Sequence, residues 1–242
     1  MDVTTAYPLL LHVCSDSGLS EESLNQIFID LESFLVRRLV CRLSTRGYNR
    51  LFLDLVAIAK QATDPAESIR GWLAEQTAEA NRWPSDEEFA RGWMNLQPFR
   101  DLLRARLRMV LEAIEDQLRS EKSEDIELRG TLQVEHLMPQ AWQEHWPLPE
   151  EVDPIEARGR REASIHRFGN LTLLTKRLNP AVSNSGWERK RKGILEHSAL
   201  ALNRQFHHVL FWDEARIEDR TNEMYGVAAR IWRRPAPSDP AS

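Results

Sequence analysis

The apolar residues of the first 125 positions recur at three- and four-residue steps, the spacing of one face of an α-helix. Leu24, Ile27, Phe28, Leu31, Phe34, Leu35 and Leu39 form one such stripe. Ser20 stands before it as an N-cap, with Glu21 and Glu22 in the favourable first turn. Gly47 interrupts the pattern, and a second stripe follows at Leu51, Leu55 and Ile58, widened by Phe52 and Val56. Asp64-Pro65 supplies a cap and a first-turn proline, and Ser85 with Glu88 makes a capping box. From Pro98 to Leu118 the pattern returns with Leu102, Leu103, Leu107, Val110, Leu111 and Ile114. Five or six helices joined by short loops are predicted, with no sequence repeat. A chain of 242 residues has room for a sizeable core without cross-links.

The pattern changes after the charged stretch Arg119–Asp125, and Gly130 marks the change. Leu132–Leu137 is short, carries Val and Leu, and runs towards Pro139, which predicts a strand or extended turn. Residues 147–154 read as a loop, Phe168-Gly169 as a turn, Asn170 to Thr175 as a β-prone run, and Asn179-Pro180 as another turn. From Ser185 onward, Trp187, Ile194 and Leu195 share one helical side and basic residues cover the other. Residues 200–232 read as two further helices, and Arg233–Ser242 as a frayed tail. The expected organisation is mainly α: a helical domain at 1–125, a second domain at 126–205, C-terminal helices at 206–232 and a disordered tail at 233–242.

Two cysteines, Cys14 and Cys41, are too few for a disulfide framework or a four-thiolate zinc site. Their apolar, helix-like surroundings predict buried free thiols, as expected in a reducing cytoplasm. The apolar run Tyr7–Val13 is too short to span a bilayer, and no basic cluster precedes it, so neither a membrane segment nor a signal peptide is expected.

The charge is uneven. Between Arg158 and Lys192 stand ten Lys/Arg and two acids, a net of +8. The whole chain carries −5, so the remainder is at −13. A local positive field on a negative protein is the footprint of a polyanion site. Just upstream lies Val134-Glu135-His136-Leu137-Met138-Pro139-Gln140, and within the window lies Gly169-Asn170-Leu171-Thr172-Leu173-Leu174, with Asn179 nine residues after Asn170. A carboxylate beside a histidine, with a later amide, suits phosphodiester hydrolysis. That reaction needs a base to deprotonate water and a hard cation to neutralise charge on phosphate. Mg²⁺-type ions prefer oxygen ligands, which Glu and Asn supply. Adjacent residues on a regular strand point to opposite faces, so Glu135 and His136 need an irregular strand end to meet one phosphate.

These segments, with Asn184 and Lys190, resemble the HNH (His-Me finger, ββα-metal) nuclease motif. More narrowly, they resemble the form found in the C-terminal domain of GmrSD-like, modification-dependent restriction endonucleases and of SspE-like phosphorothioate-sensing defence proteins. The helical part, with Leu31-Glu32-Ser33-Phe34-Leu35-Val36-Arg37-Arg38 and Tyr48-Asn49-Arg50-Leu51-Phe52, is similar to the region preceding the finger in those proteins. The resemblance spans about residues 7 to 205. It implies His136 as general base, Glu135 and Asn179 as metal ligands, and Asn170 as the residue holding the loop that carries His136. Asn184 and Lys190 match positions near the phosphate. The implied cation is Mg²⁺ or Mn²⁺. Zinc is not expected, because the Cys pairs of many such proteins are absent, and apolar packing by Trp142, Trp146, Phe168 and Trp187 must hold the finger instead. The final His of the more familiar motif is here Asn.

The resemblance implies a helical bundle, a ββα-metal finger and C-terminal helices. The expected activity is metal-dependent DNA endonuclease cleavage, nicking or double-stranded, with low intrinsic sequence specificity. Duplex DNA would lie against Arg167, Lys176, Arg177, Asn184, Arg189, Lys190 and Lys192, because phosphate contacts position without specifying sequence. The N-terminal nucleotide-binding sensor of the relatives has no counterpart here, since no Gly-rich phosphate loop appears, so this chain is read as an effector part. Two other functions stay open: a DNA-binding module with a decayed nuclease site, and a helical protein-interaction subunit. His166 is open between phosphate contact and turn packing, whereas His145, His197, His207 and His208 are read as structural. Arg37 and Arg38 are read as a solvated helix face or an interdomain contact.

Overall fold

The computed structural model describes residues 3–15, 18–120, 132–150, 152–175 and 185–235. It is mainly α-helical, with a single two-stranded sheet among the described residues. The chain divides into two compact units, one of Met1–Trp93 with Trp232–Ser242, the other of Met94–Ile231. The division falls at residue 93, not at the change of sequence pattern near 125.

The first unit contains α1 (Tyr7–Ser15), α2 (Glu21–Val40), α3 (Tyr48–Gln61), α4 (Pro65–Glu75) and most of α5 (Asp86–Asn95). The caps lie where the sequence places them. Ser20 Oγ accepts from Ser23 N at 3.1 Å and Asp64 Oδ1 accepts from Glu67 N at 3.1 Å. Ser85 and Glu88 exchange backbone-to-side-chain bonds at 3.2 and 2.9 Å. Most of the predicted stripe residues face one core, in which Ile27, Phe34, Leu51, Leu55, Ile69 and Leu73 are fully buried, whereas Phe28 is exposed.

Arg37 and Arg38 are not a solvated face; both are buried inside this unit. Arg38 donates to Tyr48 Oη and to the backbone carbonyls of Ser44, Glu79, Ala80 and Arg82, at 2.7–3.2 Å. Arg37 donates to the carbonyls of Pro84 and Trp232 and to Asp86. Loop carbonyls have no ladder partner, and a guanidinium fork satisfies several of them at once. The first residue of the expected tail is tied down, because Arg233 O accepts from Ser33 Oγ at 2.6 Å. Cys14 is exposed rather than buried, and Cys41 is half-buried. No helix among the described residues is long and apolar enough to cross a membrane.

The second unit runs through the short α6 (Pro98–Asp101), α7 (Arg104–Ser120), β1 (Leu132–His136), α8 (Pro154–Ile165), β2 (Leu171–Thr175), α9 (Trp187–His197), the short α10 (Ala201–Arg204) and α11 (Glu214–Ile231). Helix α7 belongs here because Leu107, Val110, Leu111 and Ile114 are fully buried and the helix packs on both strands, α10 and α11. Its buried Glu115 accepts from Ala201 N and Leu202 N at 2.9 and 2.8 Å, capping the free amides that begin α10. Helix α8 has no counterpart in the sequence expectation. Its signal was present as Asp153-Pro154, the same cap-plus-proline as Asp64-Pro65, and Asp153 Oδ1 accepts from Ile155 N and Glu156 N.

β1 and β2 pair antiparallel, with Glu135 opposite Thr172 and His136 opposite Leu171. A core of Leu137, Met138, Trp142, Trp146, Leu174, Trp187, Phe206 and Trp212 lies beside them. Trp187 stacks on Trp212 at 5.1 Å, and Phe206 meets both edge-on. Three of the four aromatics expected to hold this region are in that cluster, and Phe168 is fully buried.

Gly169 shows how closely α11 approaches the strand entry. A Cβ there would lie 1.9 Å from Ile217 O and 2.8 Å from Thr221 N, both backbone atoms. Arg220 of the same helix donates to Gly169 O and Leu171 O at 2.7 Å. Relief of the overlap needs a backbone shift, and overpacking of this kind typically costs about 1–3 kcal/mol. Gly169→Ala should therefore lose about 3 kcal/mol in urea unfolding, the upper end of that range because backbone must move; a loss under about 1 kcal/mol would show that α11 is not held this tightly.

Candidate functional site

The site is built where β1 ends. His136 is its last residue, and Leu137 N still bonds Asn170 O at 2.8 Å. Beyond that the chain turns, and the turn is held by the side chain of Asn170. Its Oδ1 accepts from Met138 N at 2.8 Å and from Trp212 Nε1 at 3.0 Å. Its Nδ2 donates to Met138 O and Ile165 O, both at 2.8 Å. Asn170 is fully buried, so these bonds replace those it would make to water. The strand therefore ends irregularly at the histidine.

Burial and its neighbours fix the state of His136. Its Nε2 lies 3.3 Å from His166 Nδ1, and Phe99 covers it edge-on with ring centroids 4.1 Å apart. Phe99 also stacks on His166 at 5.9 Å and 17°. Arg104 in turn lies over Phe99 and donates to its carbonyl. Desolvation pushes the His136 imidazole down to about 3, assisted by His166, Lys190 and Arg104. His166 is also pushed below its ordinary value by burial, then by Arg100 and Arg104. Both rings are neutral at physiological pH.

Glu135 is paired with Lys190. Its Oε1 accepts from Lys190 Nζ at 3.1 Å, and the same Nζ donates to His136 O at 2.6 Å. Burial raises the Glu135 carboxyl above its usual range, and Lys190 opposes that shift. Burial lowers Lys190, and Glu135 opposes it. The sequence placed Lys190 against phosphate; here its side chain is fully buried between strand and helix. Helix α9 puts it there because Lys190 shares the inward side with Trp187 and Ile194, while Arg189 and Lys192 are exposed. Arg167 is half-buried. Asn179, Asn184, Lys176 and Arg177 lie outside the described residues.

The structure thus brings together His136, Asn170, Lys190 and Glu135. It adds His166, Phe99 and Arg104, which the sequence left open or passed over. Arg104 and Arg108 line a groove of about 350 Å³ with Phe99 and the β1 residues Leu132, Gln133 and Val134. Four arginines against one acid between Arg100 and Arg108 were the signal, overshadowed by the larger basic window. No group of three His, Cys, Asp or Glu side chains among the described residues is arranged to hold a metal. A tight all-protein cage is thereby a poor fit among them. A Mg²⁺-type ion takes one or two carboxylates and completes its shell with water and substrate phosphate, and Glu135 is the carboxylate of this cluster that could serve as such a ligand.

The family model of the C-terminal domain of GmrSD restriction endonucleases matches residues 83–227. The chain belongs to that family. The match contains every residue of the cluster just described, from Phe99 to Trp212. A comparison with curated proteins finds no match.

A neutral buried histidine makes stability depend on pH. The unfolded chain protonates His136 as pH falls below its ordinary value of 6.5, but the folded chain does not until about 3. Stability is therefore lost as pH drops from 6.5 towards 3. At about 1.4 kcal/mol per pH unit, this group alone should remove about 2 kcal/mol between pH 7 and 5. Urea unfolding in EDTA should show that loss in the parent protein and not in His136→Asn; equal slopes would contradict the buried neutral state.

Proposed function

We propose that this chain is a metal-dependent DNA endonuclease that hydrolyses phosphodiester bonds with low sequence specificity, as the effector of a modification-dependent restriction system. One observation carries the reading: a neutral imidazole is held at a strand end beside a carboxylate, inside a restriction-endonuclease domain. The order β1, β2, α9 agrees with a ββα finger.

In this scheme His136 takes a proton from water through Nδ1. The hydroxide attacks phosphorus, one ester oxygen leaves, and that oxygen is protonated from solvent. The products are a phosphate monoester and a hydroxyl end. Glu135 and Asn179 would hold a Mg²⁺ or Mn²⁺ ion, which would supply positive charge against the phosphate and the leaving oxygen. Asn170 keeps the strand end and therefore His136 in place. Arg167, Arg189 and Lys192 meet the DNA backbone, joined by Lys176, Arg177 and Asn184. The groove beside Arg104 and Arg108 leads a phosphate strand to Phe99, next to His136. Lys190 has a different role from the outer cations: it neutralises Glu135 and holds the His136 carbonyl.

That same ion pair favours the second reading, a DNA-binding module without cleavage, because a lysine already compensates the carboxylate. Supercoiled plasmid decides between them. Open-circle DNA should accumulate with Mg²⁺ or Mn²⁺ and stop in EDTA, and His136→Ala should slow the reaction at least a hundredfold, within the range for loss of a general base. Binding without nicking in either metal would favour the module, and nicking by His136→Ala at the parent rate would sink the mechanism.

A further inference from the structure

The described site contains a titratable side chain without a role in the scheme above. His166 closes the last turn of α8, is 4 % exposed, and presents Nδ1 to His136 Nε2 at 3.3 Å. We propose that His166 is the positioning residue of the nuclease: its Nδ1 accepts the Nε2 proton of His136 and so fixes the tautomer whose Nδ1 lone pair meets water. The proposal rests on the assignment of His136 as the base.

The geometry leaves few alternatives for this pair. Two neutral imidazoles that share a hydrogen bond need one donor and one acceptor. If His136 donates through Nε2, its Nδ1 is unprotonated and can take a proton. If His166 donates instead, the proton of His136 sits on Nδ1 and the ring cannot act as a base there. His166 therefore carries its own proton on Nε2. When His136 gains the water proton and becomes imidazolium, its Nε2–H still donates to His166. No proton crosses between the rings, and the bond strengthens as charge develops on its donor.

A carboxylate is the usual acceptor for such a histidine. Here the neighbours are Phe99, stacked on His166 at 5.9 Å, and the positive Arg100 and Arg104. A neutral ring packs against that phenyl face and adds no negative charge beside a phosphate substrate. It also does not compete with Glu135 for a cation. Phe99 touches both rings, so one side chain fixes the angle between them at 80°.

Three substitutions separate the acceptor from the bulk. His166→Asn keeps an acceptor close to the Nδ1 position, His166→Gln moves it outward to the Nε2 position, and His166→Phe keeps the stacking and removes the acceptor. Two readouts are needed, one of them independent of catalysis. In ¹⁵N spectra of the imidazoles, His136 should be an Nε2–H tautomer in the parent and in His166→Asn, and a mixture in His166→Phe. Single-turnover plasmid nicking should fall about tenfold to a hundredfold in His166→Phe, as for other outer partners of functional histidines. It should recover to within about fivefold in His166→Asn, by analogy with those same partners. DNA affinity in EDTA should change less than about twofold in each variant, since no phosphate contact is lost. If His166→Phe does not fold, the contrast between Asn and Gln carries the test, with Gln the slower. An unchanged His136 tautomer in His166→Phe, or equal rates for the Asn variant and the Phe or Gln variant, would overturn the proposal. A tautomer change in a protein that never nicks DNA would instead overturn the nuclease reading and leave the positioning role standing.

Discussion

The side-chain amide of Asn170 makes four hydrogen bonds to three segments, two of them more than thirty residues away. They are the end of β1, the end of α8, and the indole of Trp212 ahead of α11. A buried amide with every bond made is stable, whereas a half-satisfied one is costly, so the three segments can meet in few other ways. Where β1 stops, which way Met138 turns, and where Ile165 hands the chain to His166 all follow from this one side chain. The placement of both histidines is therefore a consequence of packing around Asn170. Gly169 beside it allows α11 to approach, and Arg220 of α11 ties down the flanking carbonyls.

Around that node the charges are buried in compensated sets. Lys190 meets Glu135 and a strand carbonyl; Arg161 meets Glu214 and the carbonyls of Trp146 and Pro147. Breaking such a pair is costlier than never having it, because the remaining charge is stranded. The site thus sits in a medium where an imidazole stays neutral and nearby cations act at full strength. A neutral imidazole suits proton abstraction, and the neighbouring cations suit a phosphate. The interior that organises the fold also sets the chemistry open to His136.

Helix caps were legible because they are local: Ser20, Asp64 and the Ser85–Glu88 box need only neighbours within four residues. The segment motifs at Glu135-His136 and Asn170 were legible as pattern, and their meeting followed from the antiparallel register. Arg37, Arg38 and Lys190 were misplaced, because a basic residue on a helix gives no local sign of whether distant carbonyls or a carboxylate await it. The His136–His166 contact was invisible for the same reason, since thirty residues separate the rings and only the turn at Asn170 closes the distance. The unit boundary was displaced because α7 has the same helical pattern as the helices before it but buries its apolar side against the strands.

In the proposed scheme, Glu135 and His136 form one hydrolytic site that recruits a cation when DNA arrives. The Lys190–Glu135 pair makes this a demanding claim, because the carboxylate must accept a second positive charge. Crystals of His136→Ala with Mn²⁺ and a short duplex would test it through the anomalous signal of manganese. A peak is expected at the Glu135 carboxylate, shared with a phosphate oxygen of the duplex. Bound duplex with no manganese at Glu135, and Lys190 still paired to it as now, would contradict that scheme.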